Sequence, residues 1–187
     1  DLQLAETRAQ LKAVKSWDRL TATLTTDFLA DAVAEEQGLD INRGEGVIDL
    51  REAHILWRPV PWLDLKAGRQ ILTWGTGDFV FLNDMFPKDY QSFFTGRRDT
   101  YLKAPSDAVK ASMFSSYANL DIVYTQQFDA DRHLEGERLS IYNPFTRSIT
   151  GDANSLRADR PDHVFEDDEW AARLYRNFGA WQGALYG

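Results

Sequence analysis

Basic and acidic side chains that could act on a charged molecule at close quarters are concentrated in the segment 75–107. They are Lys88, Asp89, Arg97, Arg98, Asp99 and Lys103. Opposed charges that face each other across a narrow passage select molecules by size and charge. This arrangement requires the segment to fold inward, and its phenylalanines give it apolar surface to bury. If the segment folds outward, the same charges lie in water, and the sequence leaves both arrangements open.

No other motif specifies catalysis, a cofactor or a metal. The Gly-x-Gly at 75–77 lacks the third glycine and the following helix of a dinucleotide-binding turn. A calcium loop that began at Asp129 would need an oxygen ligand at its fifth position and glycine at its sixth, where His133 and Leu134 stand. The three histidines lack zinc spacing, and nothing marks a serine as a nucleophile. We therefore predict no catalytic residue, no cofactor and no metal site.

The elements that would position these charges show a period of two. In residues 5–13, Ala, Thr and Leu alternate with charged and amide side chains, and residues 19–28 repeat the pattern. Such alternation predicts half-buried strands, here joined by a tight turn at 15–18. Each strand has about the nine to eleven residues that a membrane-spanning strand needs.

The same reading predicts about eight strands along the whole chain. The further strands are expected at about 47–57, 63–70, 109–114, 120–127, 170–176 and from 181 onward. Leu50 and Arg51 break the alternation of the third strand. Arg69 falls on the apolar side of the fourth, where its long side chain could extend to a membrane interface.

The predicted connections alternate between short and long. The long ones are 32–46, 75–107 and 130–169, and tight turns lie between them. Short turns on one rim and long loops on the other are typical of outer-membrane barrels, whereas a soluble sandwich needs no such alternation. Aromatic residues expected at the membrane interface beside the short turns are Trp17, Trp57, Trp62, Tyr117, Phe178 and Trp181.

The predicted fold is therefore all-β. It is an antiparallel meander of about eight transmembrane strands within a larger outer-membrane barrel, with short periplasmic turns and long extracellular loops. Residues 1–187 form one domain, and the parity of the turns implies missing strands at both ends. The side chains expected to face the lumen are Glu6, Arg8, Lys12, Arg19, Asp27, Glu52, His54, Asp64, Lys66, Lys110, Asp121 and Arg173.

Composition agrees with strands rather than membrane helices. Mean hydropathy is −0.45 and no apolar run reaches the length of a membrane helix. Aromatic residues make up 13%, as interfacial girdles require. The net charge of −8 argues against nucleic acid as a partner, and the absence of cysteine excludes disulfides.

Three segments resemble a known family. They are Gly68-Arg-Gln through Trp74-Gly, Asn83 through Pro87-Lys-Asp-Tyr90, and Leu102 through Asp107. Together they are similar to a largely uncharacterised family of Gram-negative outer-membrane barrel proteins with porin-like architecture, over residues 47–142. The resemblance implies a barrel with more strands, in the outer membrane of a Gram-negative bacterium, and no enzyme activity. It does not identify a solute.

These observations favour a porin-like channel for passive diffusion of small polar solutes, narrowed by the segment 75–107. Expected partners are outer-membrane lipid, lipopolysaccharide and the solutes, with a homo-oligomer possible. The acidic run 166–169 is either solvated or binds divalent cations that bridge lipopolysaccharide phosphates. Two alternatives stay open: a plugged barrel serving as a structural or docking component of an envelope assembly that moves lipid-like molecules, and a soluble β-sandwich or small-barrel binding protein.

Overall fold

The computed structural model describes residues 5–32, 39–40, 45–74, 84–136, 139–151, 155–156 and 165–187. Its strands are β1 (Glu6–Ser16), β2 (Leu20–Asp31), β3 (Leu39–Asp40), β4 (Glu45–Gly46), β5 (Ile48–Val60), β6 (Leu63–Ile71), β7 (Pro105–Met113), β8 (Asn119–Thr125), β9 (Ile141–Asn143), β10 (Ser148–Thr150), β11 (Glu169–Phe178) and β12 (Trp181–Tyr186). The helix α1 (Tyr90–Phe94) and a 3₁₀ turn (Asp99–Tyr101) complete the described elements. No helix in these ranges is long and apolar enough to cross a membrane.

Eight strands form one antiparallel meander in the order β1-β2-β5-β6-β7-β8-β11-β12. The all-β prediction and the meander are confirmed, and the connections between successive strands alternate between short and long. Two short hairpins, β3–β4 and β9–β10, lie within long connections. The sheet's two edges are β1 and β12.

Two predicted boundaries are wrong. The third strand, expected to end at about 57, runs on to Val60 as β5 through a shift in its register with β6, and the turn occupies only Pro61 and Trp62. The loop expected to reach residue 107 ends earlier, since β7 begins at Pro105. Proline is tolerated at the first position of a strand, where its missing N–H removes least from the ladder.

Arg51 is the extra residue of a β-bulge. Thr25 pairs with Glu52 and Thr26 pairs with Leu50, so Arg51 has no partner of its own on β2. A bulge places two residues of one strand opposite one of its neighbour and redirects a side chain. The break in alternation at Leu50 and Arg51 is therefore a local insertion within a regular strand.

Gly68 allows β6 to lie close to β5. Its φ is +113°, and a Cβ added there would lie 2.4 Å from the carbonyl oxygen of Ala53. The neighbouring Arg69 is buried instead of extending to an interface. Its Nε donates to the Leu50 carbonyl at 2.8 Å and its Nη1 to Asp107 at 3.1 Å.

The two faces of the sheet differ in chemistry. Paired residues share a face, so the register defines an apolar face that contains Ala9, Leu11, Ala13, Ala22, Leu24, Phe28, Ala53, Ile55, Trp57, Leu63, Leu65, Ala67, Val109, Ala111, Met113, Leu120, Ile122, Tyr124, Ala172, Leu174 and Leu185. The opposite, polar face carries Glu6, Arg8, Gln10, Lys12, Thr25, Asp27, Asp49, Glu52, His54, Asp64, Lys66, Gln70, Ser106, Lys110, Ser112, Asp121, Thr125 and Arg173.

Burial on these faces is the reverse of that in a water-soluble protein. Leu11 is 52% exposed and Ile55 49%, whereas Asp27 is 0% and Asp49 1% exposed. Apolar side chains are normally the buried ones, and a contiguous exposed apolar surface marks contact with another apolar phase or partner. Residues of the connection between β6 and β7, together with Arg132 after β8, pack on the polar face.

Candidate functional site

The residues that cover the polar face come from the connection between β6 and β7. We call residues 84–104 the covering segment. Arg97 reaches β1, where its Nη2 lies 2.5 Å from Glu6 Oε2. From β5, Arg51 Nη2 donates to the carbonyls of Thr100 at 3.1 Å and Lys103 at 2.8 Å. The described part of the loop thus lies on the charged face of the sheet, and its position inside a lumen stays a prediction; residues 75–83 lie outside the described residues.

Asp49 is the centre of a buried ion-pair network. Its carboxylate lies 3.3 Å from Arg8 Nη1, 3.8 Å from Arg51 Nη1 and 3.5 Å from Arg132 Nη2. Arg8 also pairs with Asp27 at 2.8 Å. Each of these arginines therefore has a carboxylate partner, which a buried charge requires. The network joins β1, β2 and β5 to the loop after β8.

Tyr101 lies between two of these arginines. Its ring centroid is 4.4 Å from the Arg8 guanidinium carbon and 5.1 Å from that of Arg51. Such cation–π contacts stabilise a desolvated guanidinium. Burial raises the pKa of the Tyr101 hydroxyl and the nearby Asp27 raises it further, so the phenol stays neutral. The ring thus fixes the 3₁₀ turn of the covering segment against the sheet.

Asp89 connects the covering segment to the loop after β8. Its Oδ1 accepts the backbone N–H of Ser92 at 2.7 Å, which caps α1, and its Oδ2 lies 3.3 Å from Arg132 Nη1. The carbonyl of Arg132 accepts the backbone N–H of Tyr90 at 2.9 Å and of Gln91 at 3.2 Å. The covering segment and the loop after β8 are consequently joined to each other at Asp89 and Arg132.

An apolar cluster anchors the other end of the loop. Trp74 packs edge-to-face on Phe86, with ring centroids 4.8 Å apart, and lies 5.9 Å from Tyr186 of β12. Ala108 and Val123 of the sheet are buried in the same cluster. Since Arg97 contacts β1, the loop extends across the polar face from one edge strand to the other.

Three of the predicted constriction residues are engaged in contacts. Lys88 is buried, with its Nζ 3.1 Å from Asp84 and bonded to the Phe86 carbonyl. Asp89 and Arg97 form the pairs described above. Their charges are neutralised at contact distance, so they do not face one another across a gap.

The other three candidates differ in environment. Arg98 and Asp99 begin the 3₁₀ turn and are exposed. Lys103 is half-buried, and its backbone forms an isolated bridge with Lys88. Arg98 and Asp99 are therefore the charges of the covering segment that a solute could meet, and their role in a constriction stays a prediction.

The residues predicted to face the lumen lie on the polar face, with one exception. Arg19 belongs to the turn before β2, where its Nη1 donates to the Pro59 carbonyl at 2.9 Å. Toward the short turns, Lys110 is half-buried and Asp121 is buried. There Asp121 lies 3.4 Å from Lys110 Nζ and accepts the Ser112 hydroxyl at 2.6 Å. Mixed charges thus continue down this face beyond the covering segment.

The six aromatic residues predicted to lie beside the short turns are exposed there. Trp17, Trp62 and Tyr117 lie in the turns themselves, and Trp57, Phe178 and Trp181 lie in the strand ends next to them. They form an aromatic rim at one end of the sheet, which is the position of an interfacial girdle in a membrane barrel.

Sequence reasoning missed the residues that hold the loop down, namely Asp49, Tyr101 and Arg132. Arg51 gave a signal, because it broke the alternation of its strand, but the pattern could not show what its side chain contacts. Arg132 and Tyr101 lie in segments without periodicity. Their partners are remote in sequence, so no local pattern indicates them.

Within the described residues, no group of three or more His, Asp or Glu side chains could hold a metal ion. Comparisons with family models, with curated proteins and with solved structures found no match. The resemblance in the segments around 68–107 thus stays an interpretation of those residues.

We expect Arg97 and Glu6 to stabilise the closed position of the covering segment. A double-mutant cycle with Arg97→Met and Glu6→Gln should give a coupling of about 0.5–3 kcal/mol, because both side chains are largely buried. The measurement is the free energy of unfolding in detergent micelles. Arg58 and Asp64, whose side chains are 56% and 27% exposed, are the control pair, with about 0.2–1 kcal/mol expected. Equal coupling energies in the two cycles would show that the Arg97–Glu6 pair does not stabilise the covering segment more than an exposed ion pair would.

Proposed function

We propose that this sheet is part of the wall of an outer-membrane β-barrel and lines a channel for small polar solutes. The observation that carries the proposal is the inverted burial, with an exposed apolar face and a charged face under the loops. Lipid is the solvent that suits the first face, and a water-containing lumen suits the second. In a closed barrel β1 and β12 would need strand partners, which further strands or a second copy would supply.

The covering segment would narrow this channel from the long-loop side. It reaches β1 through Arg97, and its Phe86 packs in the apolar cluster that also contacts Tyr186 of β12; ion pairs hold it. The exposed Arg98 and Asp99 would then present opposed charges to the solute. The paired arginines would fix the width of the passage and leave its charge nearly balanced.

The same contacts also support a second candidate, a barrel plugged by its loops. A segment that reaches both edge strands and buries its charges could close the lumen. Such a protein would serve as a structural or docking component of the envelope, and the buried apolar cluster around Phe86 would help to keep the lumen closed. Conductance separates the two functions.

We expect steady single-channel conductance from the protein in planar lipid bilayers. Arg97→Ala should raise the conductance, because it removes one anchor of the covering segment. Arg58→Ala is the matched control, since it removes the same charge beside a short turn, at the other end of the sheet, and should leave conductance unchanged. Insertion without conductance in all variants would reject the channel and favour the plugged barrel.

A further inference from the structure

A cavity of about 280 Å³ lies at the long-loop end of the polar face. Strands β7, β8 and β11 form its floor, and the covering segment and the residues after β8 form its walls. Three carboxylates line it, those of Asp129, Asp131 and Glu169. Its volume is close to the lower end of the range for small-molecule sites.

These carboxylates differ from those of the network around Asp49. There, every carboxylate has an arginine within ion-pair distance. Asp129, Asp131 and Glu169 form no ion pair with any residue of the described ranges. Within the described part of the chain, the Asp131 carboxylate accepts one hydrogen bond, from the backbone N–H of Lys88 at 2.7 Å. The cavity therefore has an excess of negative charge.

A buried hydroxyl points to a ligand in the same place. Thr125 lines the cavity and is 7% exposed, and its Oγ1 has no hydrogen-bond partner among the residues that the structure describes. Buried polar groups are nearly always paired, so an unpaired one beside a cavity indicates a partner that enters from outside. The hydroxyl can accept from an N–H of that partner.

The protein also keeps an acid where burial opposes its charge. Burial raises the pKa of Asp129, and Asp107 raises it further, while Ser106 and Arg69 act in the other direction. An acid held in such an environment is a common property of functional sites. A bound cation would reverse the unfavourable effect of burial.

The remaining lining favours an organic cation over a metal ion. Met85, Phe86 and Phe128 provide apolar and aromatic surface, which suits the methylene groups of an amine and can contact an ammonium group. The acids in the described residues do not come together as a metal-ligand group. Separate carboxylates along an apolar wall match an elongated amine.

We propose that this cavity binds small organic amines in their ammonium form. The inference rests on the proposed channel and deepens it, because a solute that enters from the long-loop side would meet this site on the polar face. The site would raise the local concentration of cationic solutes at the mouth. The site would give the channel a preference for cationic solutes. The mixed charges toward the short turns on the same face would not give one.

The test is calorimetric titration of the detergent-solubilised protein with diaminobutane, with butanediol as the uncharged probe of equal length. Diaminobutane should bind and butanediol should not. Asp129→Asn and Thr125→Val should each weaken binding about tenfold, as expected for loss of one hydrogen bond to a charged group. Glu166→Gln is the matched control, because it removes an exposed acid near the site and should bind like the parent protein.

Folding of the variants is checked by their unfolding temperature. Since the pKa of Asp129 is raised in the folded protein, its ionised form opposes folding at neutral pH. Asp129→Asn should therefore unfold at a higher temperature than the parent at pH 7, and this gain should disappear below the ordinary pKa of 3.8. A loss of amine binding together with a gain in stability cannot come from misfolding.

Three results would overturn the site: no binding of diaminobutane, equal binding by Asp129→Asn and Glu166→Gln, or binding of magnesium chloride alone. Conductance of the same preparation separates this inference from the channel. A conducting protein that does not bind the amine rejects the site alone. A protein that binds the amine but never conducts rejects the channel and leaves the cavity as a ligand site.

Discussion

Asp49→Asn is expected to lower the free energy of unfolding by about 3–5 kcal/mol, the range for breaking a buried ion pair by removal of one partner. Asparagine keeps the volume but not the charge, so Arg51 loses the one carboxylate that lies within 4 Å of it among the described residues. Arg8 and Arg132 keep Asp27 and Asp89. The measurement is urea unfolding in detergent micelles, followed by tryptophan fluorescence.

Asp64→Asn is the control for this substitution. Asp64 also lies on the polar face and pairs with an arginine, Arg58 at 3.4 Å, but that pair is partly in water. Its loss should cost less than about 1 kcal/mol. If Asp49→Asn costs no more than Asp64→Asn, the network around Asp49 does not hold the loops to the sheet. A protease should also cleave the covering segment faster in Asp49→Asn than in Asp64→Asn. Such a difference would show that the contacts between this segment and the sheet are weakened only in Asp49→Asn.

The strands could be predicted from the sequence because one physical signal determines them. Every second side chain of β1 and β2 faces the same environment, so composition alternates at each step. The alternation survives on both sides of the interruption, because the bulge at Arg51 adds one residue to β5 and shifts its register with β2 by that one residue. The tight turns followed from the same signal, since alternation stops where the ladder ends.

The contacts of the loops could not be predicted in the same way. Arg132 meets Asp49 and Asp89, and Arg97 meets Glu6, although long stretches of chain separate the partners. Any arginine in a polar segment could choose among many acids, and only the folded geometry selects one. The burial of Lys88 and Asp89 could not be predicted either, because charged residues in a polar segment are normally exposed to water.

The location of the candidate site depends on both kinds of information. The strands could indicate which charges share a face, but the covering segment decides which of them remain accessible. It neutralises Arg97 and leaves Arg98 and Asp99 exposed, although the three are consecutive in sequence. From the sequence alone, Arg97, Arg98 and Asp99 are equal candidates for a constriction. The structure favours Arg98 and Asp99 for mutagenesis, because they are the exposed ones.

A charged substitution on the exposed apolar face is expected to have the second large effect on stability. Ile55 lies near the middle of β5, in the interior of the sheet, and is 49% exposed. If this face contacts lipid, Ile55→Arg should cost about 2–4 kcal/mol, as for arginine near the bilayer midplane. If the face contacts water, the same substitution should change stability by about 0.5 kcal/mol or less.

Tyr117→Arg provides the comparison that separates depth from exposure. Tyr117 is 79% exposed but lies in the turn between β7 and β8, on the aromatic rim. Near an interface arginine costs about 0–1 kcal/mol. Both variants are measured by urea unfolding from lipid vesicles. A large cost at Ile55 with a small one at Tyr117 would show an apolar environment at the middle of the sheet, because two positions exposed to water would both accept the charge.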